Sequence, residues 1–222
     1  MIKGIKTIIA FLLVCNAVSS QQTKPPFWDD ILKFKQQDSA SIPEKNQILF
    51  VGSSSFTKWT DVQSYFPSHK ILNRGFGGSA FPDLIRYERD VIFPYHAKQI
   101  VIYCGENDIA GDSSITGKIV YERFLRLYWS IRKNLLMVPI IYISMKPSPS
   151  RWQMRDKLIE GNNLIEKFSK KNKRNVKFIN IWSAMLGQDG KPIETLFIED
   201  NLHMNKDGYT IWQKIIEPFL LK

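Results

Sequence analysis

The chain is 222 residues long, 44% hydrophobic and 23% charged, a composition that suits one globular domain with a real core and excludes repeat, coiled-coil and low-complexity architectures. Its 31 basic residues against 21 acidic ones give a net charge of +10, but the cations are spread along the chain. The one dense run, "KKNKR" at 170–174, falls at an expected helix end where cations favour the dipole, so the excess reads as solvated surface and no nucleic-acid partner is expected.

Residues 1–20 have the layout of a secretory signal peptide. "MIKGIK" supplies Lys3 and Lys6, "TIIAFLLV" is a short apolar run, and "NAVSS" offers small residues for cleavage near Ser19 or Ser20. The run is too short to span a bilayer, so the expected location is secreted or periplasmic, with no stable membrane insertion after cleavage. Lipid attachment at Cys15 fits poorly, because Val14 stands where a small residue is needed. Cleavage leaves Cys104 alone, without an internal disulfide partner, and its setting in "QIVIYCG" makes it a buried small hydrophobe.

Residues 21–45 form an N-terminal segment with one short amphipathic helix in "PPFWDDILKFKQQD", and the main domain runs from 46 to 222. Apolar runs recur in it at "QILFVG" (47–52), "KILNRG" (70–75), "QIVIYCG" (99–105), "PIIYISM" (139–145) and "VKFIN" (176–180). Continuous apolar runs of that length suit parallel strands covered on both faces. Between them "DLIRYERDVI", "YERFLRLYWSIRKNLL" and "MRDKLIEGNNLIEKFSKK" carry apolar residues at helical spacing, and "DGYTIWQKIIEPFLL" closes the chain with a last helix. The alternation predicts an α/β three-layer sandwich with a mostly parallel sheet of about five strands flanked by helices.

Right-handed crossovers put the carboxyl ends of all such strands on one edge, where ligands bind. Four polar or glycine-bearing segments belong there: "GSSS" after the first strand, "NRGFGGS" after the second, "GEND" after the third, and "EDNLHMN" before the last helix. Of the three histidines, His69 and His96 precede strands and so sit at the opposite edge. Only His203, with Asp200 three residues before it, can meet the serines. Acyl transfer needs a hydroxyl nucleophile, a base and a carboxylate that orients the base. It also needs donors for the developing oxyanion, which glycine backbone in "GFGG" and the Asn107 amide can supply.

These four segments, in this order over residues 48–209, resemble the SGNH hydrolase, or GDSL-type esterase, family, including its platelet-activating-factor acetylhydrolase-like and carbohydrate acetylesterase branches. The resemblance implies a flavodoxin-like sheet and an SGNH hydrolase domain at 46–222. It implies Ser54 as nucleophile, with its backbone N–H as one oxyanion donor. Gly78, or its neighbour Gly77, would be the second donor and Asn107 the third, and Asp200 and His203 would complete the triad. Where the family has Gly-Asp-Ser, this chain has Gly52-Ser53-Ser54. Ser53 and Ser55 are then turn and helix-capping residues.

The expected reaction is hydrolysis of short acyl esters, acetyl above all, on a carbohydrate or other small or polymeric alcohol. A lysophospholipase or lipase-type acyl hydrolase is the alternative, as is a catalytically silent binding protein on the same fold. Arg151 and Trp152, in "MKPSPSRW" after the fourth strand, are candidate alcohol contacts. "GFGGSA" also fits G-x-G-x-x-A, but a dinucleotide site would place it after the first strand with an acidic residue about 20 positions on. No metal or other cofactor is called for, since no ligand set appears at metal spacing.

Overall fold

The computed structural model describes residues 24–222. The expected signal peptide, with Cys15 and the cleavage positions, lies outside the described residues.

Five strands form one sheet: β1 (Ile48–Gly52), β2 (Ile71–Gly75), β3 (Gln99–Tyr103), β4 (Ile140–Ile143) and β5 (Val176–Ile179). All neighbours pair in parallel, in the order β2-β1-β3-β4-β5. The central strands β1, β3 and β4 are buried along their whole length, which is why they read as unbroken apolar runs. Their side chains alternate between two cores. Leu49, Val51, Ile100, Ile102, Ile140 and Tyr142 enter one core. Ile48, Phe50, Val101, Tyr103, Ile141 and Ile143 enter the other.

The helices, in chain order, are α1 (Trp28–Ala40), α2 (Ser54–Thr57), α3 (Val62–Tyr65), α4 (Phe81–Arg86), α5 (Glu88–Val91), α6 (Glu106–Gly111), α7 (Gly117–Asn134), α8 (Arg155–Lys171) and α9 (Lys206–Ile216). Helices α1, α4, α5, α7 and α8 contribute to the first core; α2, α3 and α9 contribute to the second. The segment expected as one helix at 83–92 is broken at Tyr87, which ends α4 and starts α5. Its ring is buried there and its hydroxyl donates to the Pro26 carbonyl at 2.7 Å.

Helix α1 is tied into the domain. Ile31 is fully buried, and Asp38 accepts hydrogen bonds from Arg74 of β2 and from the Tyr95 hydroxyl. Burial pushes the Tyr95 phenol up to about 12. It therefore stays a neutral donor to Asp38 while accepting from Arg74 Nε at 2.8 Å.

The packing of α9 on α2 positions the site. Phe56 and Trp59, just beyond Ser54, are fully buried with Phe50, Phe66 and Trp212. Trp59 stacks on Tyr209 with ring centroids 4.7 Å apart, and the Tyr209 hydroxyl donates to the Ser55 carbonyl at 2.9 Å. An aromatic cluster of this kind anchors two elements by area and by ring geometry together. It fixes the helix after His203 against the helix that begins at Ser54.

Candidate active site

β1 ends at Gly52, where nothing larger fits. Its φ is +151°, and a Cβ there would lie 2.0 Å from the Tyr103 carbonyl oxygen of β3. The next residue, Ser53, donates its N–H to that same carbonyl at 3.1 Å. The chain then turns into α2 with Ser54 as its first residue, half-buried at the carboxyl edge of the sheet. Ser54 N–H has no hydrogen-bond partner among the described residues.

His203 reaches Ser54 from the far end of the sequence: its Nε2 lies 2.8 Å from Ser54 Oγ. The loop that carries it is shaped by Asp200. One carboxylate oxygen accepts from the backbone N–H groups of Leu202 at 2.9 Å and His203 at 2.8 Å, and the other lies 2.5 Å from His203 Nδ1. Burial alone would raise the Asp200 pKa, but the hydrogen bonds from the His203 ring and the two backbone donors outweigh it and hold the carboxyl at about 2. An ionised carboxylate can only accept, so Nδ1 carries the proton. Nε2 is then the bare nitrogen facing the serine hydroxyl. His69 lies elsewhere, with its Nδ1 3.0 Å from the Leu221 carbonyl.

The glycine loop after β2 borders Ser54. A Cβ on Gly77 would sit 3.8 Å from Ser54 Cβ, whereas one on Gly78 would meet the Phe27 ring at 3.6 Å. Gly78 has φ +84°, a backbone conformation open chiefly to glycine. Neither Gly77 nor Gly78 N–H has a partner among the described residues, so both are available as donors. The loop serves the serine and does not open a long helix as a dinucleotide loop would; α4 has only six residues.

Asn107 stands at the start of α6 with its amide already bonded. Its Nδ2 donates to Ser53 Oγ at 2.6 Å and to the Ser79 carbonyl at 3.0 Å. The expected cap at Ser53 is corrected by the same contact. Ser53 occupies the N-cap position of α2, yet its side chain makes no capping bond; its hydroxyl is turned to Asn107 instead. Cys104 is buried as expected, and burial pushes its thiol well above the usual range.

A charged cluster that no local sequence pattern announces lies beside the serine. Glu106 is 4% exposed and Lys146 2% exposed. Lys146 Nζ lies 3.0 and 3.2 Å from the two Glu106 oxygens, Arg151 Nη1 donates to Glu106 at 3.2 Å, and the Tyr103 hydroxyl donates to it as well. Burial lowers the Lys146 pKa, an effect opposed by the Glu106 charge. Arg151 Nη2 donates to Asn107 Oδ1 at 2.7 Å. The signal was present in "GEND" and "MKPSPSRW", but nothing in either segment says that the two meet. Trp152, one residue on, stacks on Trp182 with centroids 6.2 Å apart and carries the Arg155 guanidinium over its ring. Ser54, Asn107, Lys146 and Arg151 line one small cavity with about 10 Å³ of space, room for roughly one water-sized group.

A serine–histidine–carboxylate line at the carboxyl edge of an all-parallel α/β sheet has the geometry of a hydrolase-type site. The model of the GDSL-like Lipase/Acylhydrolase family matches residues 48–211. The chain belongs to that family, and it is a carboxylic ester hydrolase. A sequence search of curated proteins gave no match. Solved structures share the fold. A Streptococcus pneumonia protein provisionally assigned as a platelet activating factor superposes with TM-score 0.75 at 20% identity, over 87% of this chain and 92% of its own. A GDSL-like lipase from Bacteroides thetaiotaomicron gives 0.69 at 21%, over 85% and 95%. An acetyl-xylooligosaccharide esterase from Geobacillus Stearmophilus gives 0.62 at 13%, over 82% and 97%.

Proposed function

We propose that the chain is an exported serine esterase that removes short acyl groups through an acyl-enzyme on Ser54. The observation that carries this reading is the unbroken line from Ser54 Oγ through His203 to Asp200, with contacts of 2.8 and 2.5 Å. His203 Nε2 takes the Ser54 proton as Oγ attacks the ester carbonyl, and Asp200 stabilises the imidazolium that results. The oxyanion settles among the N–H groups of Ser54 and Gly78 and the Asn107 amide. His203 then returns its proton to the leaving alcohol, and the same base activates water to free the acid.

The small cavity beside Ser54 supports a short acyl group over a long chain. A second groove of about 180 Å³, lined by Asn162, Asn163, Asn180 and Trp182 among others, follows the carboxyl end of β5. The Asn163 amide beside an indole suits a sugar alcohol, whereas the Asn162 amide is bonded at both ends to the Met145 backbone; Trp152 contributes by holding Trp182 in place. Export rests on the N-terminal sequence alone.

Replacing Ser54 by Ala should lower hydrolysis of a small acetyl ester by roughly 10⁶-fold, and a fluorophosphonate probe should label Ser54 in the parent chain. Full turnover by the variant ends the reading. An unlabelled, inactive parent would favour a silent binding protein. A panel of acetylated sugars against long-chain esters tests the substrate, and faster cleavage of long chains would favour the lipase-type alternative.

A further inference from the structure

An oxyanion hole that uses an asparagine side chain has a built-in hazard. The amide can rotate by half a turn, which exchanges its NH₂ for its carbonyl oxygen at almost no steric cost. In the wrong orientation the group aims a partial negative charge at the developing oxyanion. What prevents that flip is therefore part of the catalytic apparatus.

At Asn107 both ends of the amide are assigned by partners that can play only one role. On the oxygen side stands Arg151 Nη2, 2.7 Å from Oδ1, and a guanidinium has donors but no acceptor. On the nitrogen side stands the Ser79 carbonyl, 3.0 Å from Nδ2, which is an acceptor only. Flipping the amide would set NH₂ against guanidinium and carbonyl against carbonyl. The Ser53 hydroxyl, 2.6 Å from Nδ2, can play either part, so it does not select the orientation. It holds the remaining N–H until a stronger acceptor enters the cavity.

Arg151 is itself restrained. Its Nη1 donates to Glu106 at 3.2 Å, and its side chain is only 15% exposed. Glu106 cannot swing away, because Lys146 Nζ grips both of its oxygens and the Tyr103 hydroxyl donates to it. Lys146 and Tyr103 follow or end adjacent strands, β4 and β3, so this chain of contacts rests on the rigid sheet. A cation on Oδ1 also draws electron density from the amide and strengthens its N–H donors, the cooperative polarisation expected in a hydrogen-bonded chain.

We infer that Arg151, held by the Glu106–Lys146 pair, is a positioning residue that fixes the Asn107 amide with its NH₂ toward the oxyanion. This rests on the proposed acyl-enzyme reading and sharpens it, because it removes Arg151 from the list of alcohol contacts. The two roles differ in a measurable way. Once the acyl-enzyme has formed the alcohol has left, so an alcohol contact cannot influence deacylation. A residue that orients an oxyanion donor acts on both half-reactions.

The test is a double-mutant cycle on the full chain, with a chromogenic acetyl ester and burst kinetics to separate acylation from deacylation. Arg151→Met should slow both steps by about tenfold, a fraction of the roughly 10²–10³ expected when Asn107→Ala removes the donor outright, with little change in KM. In the Asn107→Ala background the same Arg151 substitution should change the rates less than twofold, since there is no amide left to orient. Equal losses in both backgrounds, or a rise in KM with deacylation untouched, would overturn the inference. If Arg151→Met does not fold, Arg151→Lys gives the same comparison, for it keeps the charge but loses the fork that spans Glu106 and Asn107. A parent chain with no burst and no Ser54 labelling would defeat the acyl-enzyme reading instead, whereas a normal parent burst with additive losses defeats only the role of Arg151.

Discussion

The Asp200–His203–Ser54 line and the Lys146–Glu106–Arg151 cluster meet at one cavity, yet they place their charges in opposite settings. Asp200 sits in a loop with its side chain 42% exposed and draws its orientation from hydrogen bonds only two and three residues away. Glu106 is almost wholly buried and compensated by two cations from a separate segment. Exposed ion pairs add little to stability, whereas a buried charge that loses its partner is expensive. The first group can therefore be specialised for chemistry with little effect on folding. The second carries folding and site geometry together.

The sharpest way to break this contrast is Asp200→Asn. An amide can donate to Nδ1 and hold the imidazole in the wrong tautomer, so kcat/KM should fall by roughly 10⁴. The urea midpoint should hardly move, because the lost charge is exposed. A large loss of stability would mean that Asp200 has a structural role which its exposure conceals.

Glu106→Gln should show the reverse pattern. It leaves Lys146, almost wholly buried, and Arg151, largely buried, without a counter-charge, at a cost of about 3–5 kcal/mol in unfolding free energy. Lys146→Met sharpens the point. It leaves one cation on one carboxylate, so it should cost less than Glu106→Gln in the same urea titration. If the two variants are equally destabilised, packing around Lys146 matters more than charge balance.

The same contrast explains what could be read from the chain. Asp200 and His203 are three residues apart, Ser54 follows a strand that ends in glycine, and the position of "DNLH" before the last helix fixes the edge of the sheet. Each is a local pattern, and the parallel topology did the rest. The strands are legible because β1, β3 and β4 are covered on both faces and, apart from Gln99 at the start of β3, carry no strongly polar residue. The Glu106–Lys146 pair was not legible. It joins the ends of β3 and β4 through a register set by the sheet, and a buried lysine looks like any other lysine in sequence. The turn of Ser53 toward Asn107 was hidden for the same reason: a serine at an N-cap position reads as a cap until its neighbour is known. Tyr87, where the helix breaks, bonds the Pro26 carbonyl 61 residues away, a partner that no local pattern names.

The smallest expected effect concerns acid. Hydrogen bonds hold Asp200 at about 2 in the folded chain, below the roughly 3.9 of an unfolded aspartate. A carboxyl depressed in this way adds stability at pH above the unfolded value, and that contribution is lost as pH falls from about 4 toward 2. Because Asp200 is so exposed, the loss should be slight against the titration of the other carboxylates. In activity the sign is clearer. Asp200 keeps its charge throughout the mildly acidic range, so its protonation should contribute nothing to a fall in kcat/KM above pH 4. A pH–rate profile with unit slope between pH 4 and the plateau agrees with this. A slope of two above pH 4 would add Asp200 to the groups that titrate there, and the strong hydrogen bonding assigned to it would then be wrong.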